Sequence, residues 1–314
     1  MSTISKRKSD VQHVEIEPEQ GQRRLDNFLF GRLRDVPKSR VYRMIRTGEV
    51  RVNGGRVRPE YRLQPGDRLR LPPLVRDEER TPRVPPGVAR EIMDAVIHED
   101  PELLVLNKPC GIPVHSGTRR SFGVIDALRA VHPAGAALQL VHRLDRDTSG
   151  CLLIAKNAAS LRRLHGQIRD GEMTKQYVAL LRGRLPGELE MDESLDTHAR
   201  RGGGRVVKVG AGKASLTRFK PVRHFRNATL ANATILTGRT HQIRVHAAAA
   251  GHPVAGDGKY GDRGFNRELR ELGLKRLFLH ASRVRIPGAG GRLSSGIDAP
   301  LPQELRDFLG RLGG

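Results

Sequence analysis

Four stretches, well separated along the chain, hold side chains that could do chemistry. The first is His142-Arg143-Leu144-Asp145-Arg146-Asp147-Thr148-Ser149-Gly150, a polar turn between two apolar segments that read as strands. Asp145 is flanked by Arg143 and Arg146. A carboxylate beside arginines favours its ionised form, as a nucleophile or base acting on an anionic substrate requires. Taken alone, so short a motif is more often a salt-bridged turn, and a single histidine such as His142 is more often structural. The second stretch, Lys175-Gln176-Tyr177, opens a strand with one of only four tyrosines in a chain that lacks tryptophan. The third, Gly238-Arg239-Thr240-His241-Gln242-Ile243-Arg244-Val245-His246, reads as a helix start with Thr240 as candidate N-cap. Arg244 lies one turn further on and can reach back over a sheet edge. The fourth, Leu277-Phe278-Leu279-His280-Ala281, supplies an apolar wall.

Other patterns carry no chemistry. Gly210-Ala211-Gly212-Lys213-Ala214 fails as a phosphate loop, because position 207 is Val207 and Ala214 follows the lysine. His241 and His246 are five residues apart and fall on different helix faces, with no cysteine or acidic cluster to complete a metal site. Two cysteines, Cys110 and Cys151, cannot make a disulfide framework and point to a reducing compartment, the cytoplasm.

The elements that must position these residues follow from hydrophobic period. From Ile92 onward the sequence predicts strands at Ala95–His98, Leu103–Asn107, Leu138–Val141, Cys151–Ala155, Gln176–Leu181, Leu216–Val222, Ala228–Ile235 and Leu277–Val284. Helices are predicted at Phe122–Val131, Ala158–Arg169, Thr240–Ala250 and Pro302–Leu312. Many strands follow one another without an intervening helix, which favours an α+β domain on a largely antiparallel sheet. The glycine-rich, basic stretch from Arg200 to Gly212 reads as a mobile hairpin or loop.

Ahead of this domain the chain divides into a disordered tail (1–20), a small domain (21–72) and a Pro-rich, charged linker (73–91); the large domain then spans 92–314. In the small domain Leu25, Phe28, Leu29 and Leu33 share a helix face, and a second helix runs from Pro37 to Arg46 with Val41, Met44 and Ile45 inward. An Asn53-Gly54 turn follows. Between Gln22 and Pro72 there are fourteen Lys or Arg against five Asp or Glu, so this unit presents a basic face. The whole chain has a formal charge of +22, which draws it to phosphate backbones. A membrane is the weaker partner, because no apolar run approaches the ~20 residues that a spanning helix needs, and the N-terminus has no secretory pattern.

The small domain, RRLDNFLFGRLRDVPKSRVYRMIRTGEVRVNGGRVRPEYRLQPGDRLRL, resembles the S4 RNA-binding domain, most specifically from Ser39 through Arg46, Gly48, Val50 and Val52-Asn53-Gly54 to Pro65-Gly66-Asp67. The resemblance implies an RNA-contacting surface carrying Lys38, Ser39, Arg40, Arg43, Arg46, Arg51 and Asn53. The large domain resembles the RluA-type family of pseudouridine synthases through four motifs in order: the HRLDxxTSG turn, the Lys-x-Tyr strand, the GRTHQIR helix entry and the LxLHA element. Together the two resemblances run from about Gln22 to Leu309.

The second resemblance implies an isomerase that flips a uridine out of folded RNA, breaks its N-glycosidic bond and rejoins the base through carbon. Asp145 would be the essential aspartate, Tyr177 would stack on the target base and Arg244 would pair with Asp145. Arg143 would hold the flipped nucleotide's backbone, with His142, Leu279 and Arg239 as further substrate contacts. No metal, cofactor or nucleotide energy source is implied. The S4-type domain points to bacterial large-subunit ribosomal RNA as substrate, free or in assembling particles, for a monomeric enzyme. The alternatives are another large-subunit synthase of the same plan, a tRNA-directed member, a non-catalytic assembly factor, and a glycosylase that releases uracil. Two departures from the family, Cys110 in the Asn107–Gly111 turn and the small residues of the Gly256–Gly261 turn, are read as remote from the chemistry, with Cys110 structural.

Overall fold

The computed structural model describes residues 6–8, 10–33, 36, 38–73, 75–77, 84–116, 122–199, 205–288 and 296–313. They fall into two compact units, residues 1–81 and 82–314.

The first unit contains β1 (Lys6–Lys8), β2 (Gln12–Glu15), α1 (Leu25–Arg32), α2 (Lys38–Arg46), β3 (Arg51–Val52), β4 (Arg68–Leu71) and β5 (Val75–Asp77). The predicted faces of both helices form its core, with Leu25, Leu29, Val41, Met44 and Ile45 essentially solvent-free. Pro37, the predicted first-turn residue of α2, lies outside the described residues. Asn53 and Gly54 both take positive φ, 50° and 80°, the conformation that a two-residue reversal demands. The tail reading needs correction. Val14 and Ile16 alternate with charged neighbours, Ile16 is buried, and β2 pairs antiparallel with β4 in the sheet β2-β4-β3. Two apolar residues two apart suffice for a half-buried strand, a signal that overall polarity hides.

The second unit contains α3 (Pro86–Asp94), β6 (Val96–Glu99), β7 (Leu103–Lys108), α4 (Val124–Val131), β8 (Gln139–Leu140), β9 (Ser149–Ala155), α5 (Ala158–Arg169), β10 (Thr174–Arg182), β11 (Leu189–Asp192), β12 (Leu195–Ala199), β13 (Arg205–Val209), β14 (Leu216–His224), β15 (Ala228–Ile235), α6 (Gln242–Ala249), α7 (Arg263–Glu271), β16 (Leu279–Arg285), β17 (Ile297–Asp298) and α8 (Gln303–Leu312). Its main sheet has ten strands in the order β11-β14-β15-β10-β16-β9-β7-β6, with β17 added beside β16 and β8 beside β9. The pairing is antiparallel, as expected, except where β16 meets β9 in parallel over two residues. β9 is buried along its whole length, which is why it reads as a continuous apolar run and not as an alternation. Residues from α3, α4, α5 and α6 join the strands in the main core, and α7 and α8 close a second cluster around Phe278 and Phe308.

Part of the expected linker belongs to ordered elements: Val75–Asp77 is a strand, and α3 begins at Pro86 and buries Ala89 and Ile92. Residues 78–83 lie outside the described set. The basic Arg200–Gly212 stretch supplies one strand of the β12–β13 hairpin, with residues 200–204 outside the described set. Gly150 sits where the parallel pair forms, at φ 108°, and a Cβ there would lie 2.2 Å from the Ala281 carbonyl oxygen. Only glycine lets the strand leaving the HRLD turn come this close to β16.

Candidate active site

Asp145 stands in the turn that leads into β9, and the turn is held from below by the end of β7. The fully buried Lys108 ammonium donates to the carbonyl oxygens of Pro109 (2.8 Å), Ile112 (2.8 Å) and Arg146 (3.0 Å). Burial, which strips water from this ammonium, pushes its pKa down to about 8. The Gly111 amide also donates to the Arg146 carbonyl, and Cys110 Sγ donates to that of Asp147 at 3.2 Å. The Asn107–Gly111 turn is therefore the base of the Asp145 loop, which corrects its reading as remote. His142 anchors the other end: its Nε2 accepts the Leu153 amide hydrogen at 3.2 Å. Burial, with the nearby Lys175 charge, pushes His142 down to about 3, so it stays a neutral acceptor.

Arg244, on the first turns of α6, meets Asp145 as the sequence suggested. Its Nη1 donates to Asp145 Oδ2 at 2.9 Å, while Nε and Nη2 grip Asp257 at 2.7 and 2.8 Å. The three side chains are 11%, 17% and 0% exposed for Arg244, Asp145 and Asp257, so this is a desolvated carboxylate–guanidinium–carboxylate row. Burial disfavours the Asp257 charge, but the Arg244 bonds outweigh it and hold the Asp257 pKa below the ordinary carboxylate range. The Lys259 and Tyr260 amides also donate to Asp257 Oδ1, so the turn that follows α6 is built around this acid. Asp145 Oδ2 takes the Arg244 bond, and Oδ1 has no hydrogen-bond partner among the described residues.

One cleft collects Asp145, Arg244, Tyr177 from β10, Leu279 from β16, Ile235 from β15, and the exposed Arg143 and Arg239. His142 is not part of its lining. Tyr177 lines the cleft and is otherwise buried, and burial, reinforced by the Asp145 charge, raises its phenol pKa so that it stays protonated. Thr240 does not cap α6. The helix starts at Gln242, preceded by His241 in the left-handed region at φ 56°. Gln242 organises the entry itself, accepting from Thr237 Oγ1 and the Arg239 amide and donating to the Leu216 carbonyl. His241 lines the cleft as well, and its Nδ1 lies 2.8 Å from Tyr260 Oη. The Gly256–Gly261 turn thus bears directly on the site through Asp257 and Tyr260, against the expectation that it is remote. The sequence held a usable signal: a lone acid and one of four tyrosines among glycines.

In the first unit, Arg43, Arg46 and Arg51 are exposed, as is Ser39, while the Lys38 side chain lies outside the described set. Arg40 is tied to Glu49 at 2.7 Å. Asn53 is occupied in holding its own turn, donating to Asp67 and accepting from the Arg68 amide, each at 2.8 Å.

Residues 23–69 match the S4 domain, and residues 102–249 match the family described as RNA pseudouridylate synthase. Over 303 residues, 95% of each chain, the protein is 48% identical to the ribosomal large subunit pseudouridine synthase C of Yersinia pestis. The chain belongs to the RNA pseudouridylate synthase family. A synthase of the same description from Escherichia coli strain K12 is 46% identical over 310 residues, 96% of this chain and 97% of the relative. Among solved structures, human RNA pseudouridylate synthase domain containing 4 aligns with a TM-score of 0.59 and 25% identity over 72% of this chain and 95% of that one. Domain containing 1 of the same human group aligns at 0.56 and 27% identity over 70% and 86%. The pseudouridine synthase motifs, scattered over more than a hundred residues of sequence, converge in this structure on one cleft.

Proposed function

We propose that this pseudouridine synthase isomerises uridines in bacterial large-subunit ribosomal RNA, with Asp145 as the reacting carboxylate. The observation that carries this is the state of Asp145: it lines the cleft with Oδ2 clamped by Arg244 at 2.9 Å, while Oδ1 has no hydrogen-bond partner among the described residues. An oriented carboxylate with one free oxygen suits attack or proton transfer at a flipped nucleotide. In the reaction the N1–C1′ bond breaks, the uracil turns, and a C5–C1′ bond forms. C5 gives up its proton and N1 ends with one. Tyr177 offers a ring on which the extruded base stacks, worth about 1–3 kcal/mol, with Leu279 and Ile235 as apolar walls. Arg143 and Arg239, exposed at the rim, take the phosphates. His142 supports the loop from behind.

Residues 21–72 would hold the RNA while residues 92–314 carry out the reaction, as a monomer in the cytoplasm. The large-subunit assignment draws on the near full-length identity to the Yersinia and Escherichia synthases. The test is a pseudouridine map of large-subunit RNA from a strain lacking the gene, complemented with wild type or Asp145→Ala. Specific sites should vanish and return only with wild type. An unchanged map would reject ribosomal RNA and put tRNA in its place. Sites restored by Asp145→Ala would reject the role of the carboxylate.

A further inference from the structure

His241 stands beside Asp145 in a conformation that needs a reason. Its Nε2 is 3.8 Å from Asp145 Oδ2, just beyond hydrogen-bond range. Its backbone is left-handed at φ 56°, a state that costs a non-glycine residue on the order of 1 kcal/mol. The ring is oriented by one neighbour. Tyr260 Oη lies 2.8 Å from His241 Nδ1 and accepts the Val207 backbone amide hydrogen at 3.1 Å. A hydroxyl that accepts this amide can give its own hydrogen to Nδ1, and in that arrangement the neutral imidazole carries its hydrogen on Nε2. That hydrogen faces Asp145. Val207 belongs to β13, and the hairpin is seated by a small cluster of Leu195, Val207 and Val245 with Tyr260 packed against it. A second cavity lies under the same hairpin, and Gly238, Arg239 and Thr240 line both it and the cleft.

We propose that His241 is a positioning residue for Asp145, oriented through Tyr260 by the β12–β13 hairpin, and that RNA seated against the hairpin draws its Nε2–H onto Oδ2. The inference rests on the reading of Asp145 as the reacting carboxylate. Arg244 alone leaves that carboxylate free to rotate about the shared bond; a second donor on the same oxygen fixes which way Oδ1 points. The groups facing the imidazole are Asp145 from the loop before β9, Arg244 from its own helix, and Asp257, Lys259 and Tyr260 from the turn after α6. Burial keeps the imidazole neutral; Asp145 opposes this, and Arg244 and Lys259 reinforce it. In Tyr260→Phe the ring remains against His241 and Arg244, but Nδ1 is released and can take a proton.

The experiment is single-turnover pseudouridine formation, with substrate affinity, melting temperature and a pH–rate profile, for Tyr260→Phe, His241→Gln and His241→Ala on a large-subunit RNA fragment. Tyr260→Phe should stay folded with wild-type affinity, its melting temperature lowered modestly by the lost Val207 bond, and its rate should fall roughly ten-fold, within the range that small misplacements of reacting groups produce. Its profile should gain an inflection on the acid side, below the ordinary histidine value of about 6.5 because burial still opposes the imidazolium, with the rate falling as that imidazolium captures Asp145. His241→Gln, whose amide can present an N–H near the position of Nε2, should retain more rate than His241→Ala, the two sharing the same backbone cost. A Tyr260→Phe enzyme with wild-type rate and profile, or equal rates for the Gln and Ala variants, overturns the inference. If Asp145→Ala is active in the same assay, the failure belongs to the underlying reading; if it is inactive, the positioning claim alone falls.

Discussion

Arginine is used in two ways in this chain. In the second unit Arg244 is nearly buried, and all three of its bonding nitrogens are committed to two carboxylates. In the first unit Arg43 and Arg46 stand exposed on α2, and Arg51 on β3. A buried guanidinium acts through geometry: its planar fork fixes where Asp145 lies relative to Asp257, and salt screens it little. The exposed arginines act through their field, which depends on their number and on ionic strength far more than on the placement of any one. Position should therefore be unforgiving in the cleft and tolerant in the S4 domain.

The largest effect is expected from Arg244→Lys. A lysine keeps the charge but cannot span both carboxylates, and kcat should fall by about a hundred-fold, the scale of losing one preorganised electrostatic contact. A steady-state assay checks it, and a variant with near wild-type kcat would show that charge alone is enough. Asp257→Asn should come next. Removing one partner of a buried pair costs about 3 kcal/mol of stability, measurable by denaturant unfolding. Because the folded Asp257 pKa is depressed, its contribution is present above the unfolded carboxylate value of about 4 and is lost as pH falls through the folded one. The acid limb of the stability curve should therefore flatten in the variant, and an unaltered limb would remove Asp257 from the account. The smallest effect is expected from Arg43→Ala with Arg46→Ala: KM should rise several-fold at unchanged kcat. The slope of log affinity against log salt should drop by about 1–2, as for two lost phosphate contacts. A fall in kcat instead would mean that the small domain does more than bind.

Much of this division was legible in the residues. The strands that carry Tyr177 and Leu279, the turn that holds Asp145 and the helix that bears Arg244 all follow from local period and motif. What escaped was set by long-range partners. Asp257 and Tyr260 sit in a glycine-rich turn whose meaning appears only when α6 folds against it. His142 looks like a cleft residue in sequence, yet its ring turns back to the Leu153 amide. Helix α7 was missed because only Phe265 and Leu269 are buried among its charges, although Asp262 caps it through the Phe265 amide at 2.7 Å. β2 was missed because four residues with a single inward-facing position make too weak a period to stand out from a polar tail.

The two-residue parallel ladder between β16 and β9 has a mechanical consequence. On one side of it lie the antiparallel strands that carry Tyr177 and Leu279; on the other, β9, whose leading turn holds Asp145. The ladder His280↔Ser149 and Ala281↔Gly150, with the Ser149 hydroxyl against His280 Nδ1 at 2.9 Å, is a short crease in an otherwise continuous sheet. The wall on which a base would stack and the carboxylate that would meet it lie on opposite sides of this seam, so the spacing between them is set by the glycine-only approach of Gly150 to Ala281 and by Arg276 Nη2, which donates across it to Ser149 Oγ at 2.7 Å.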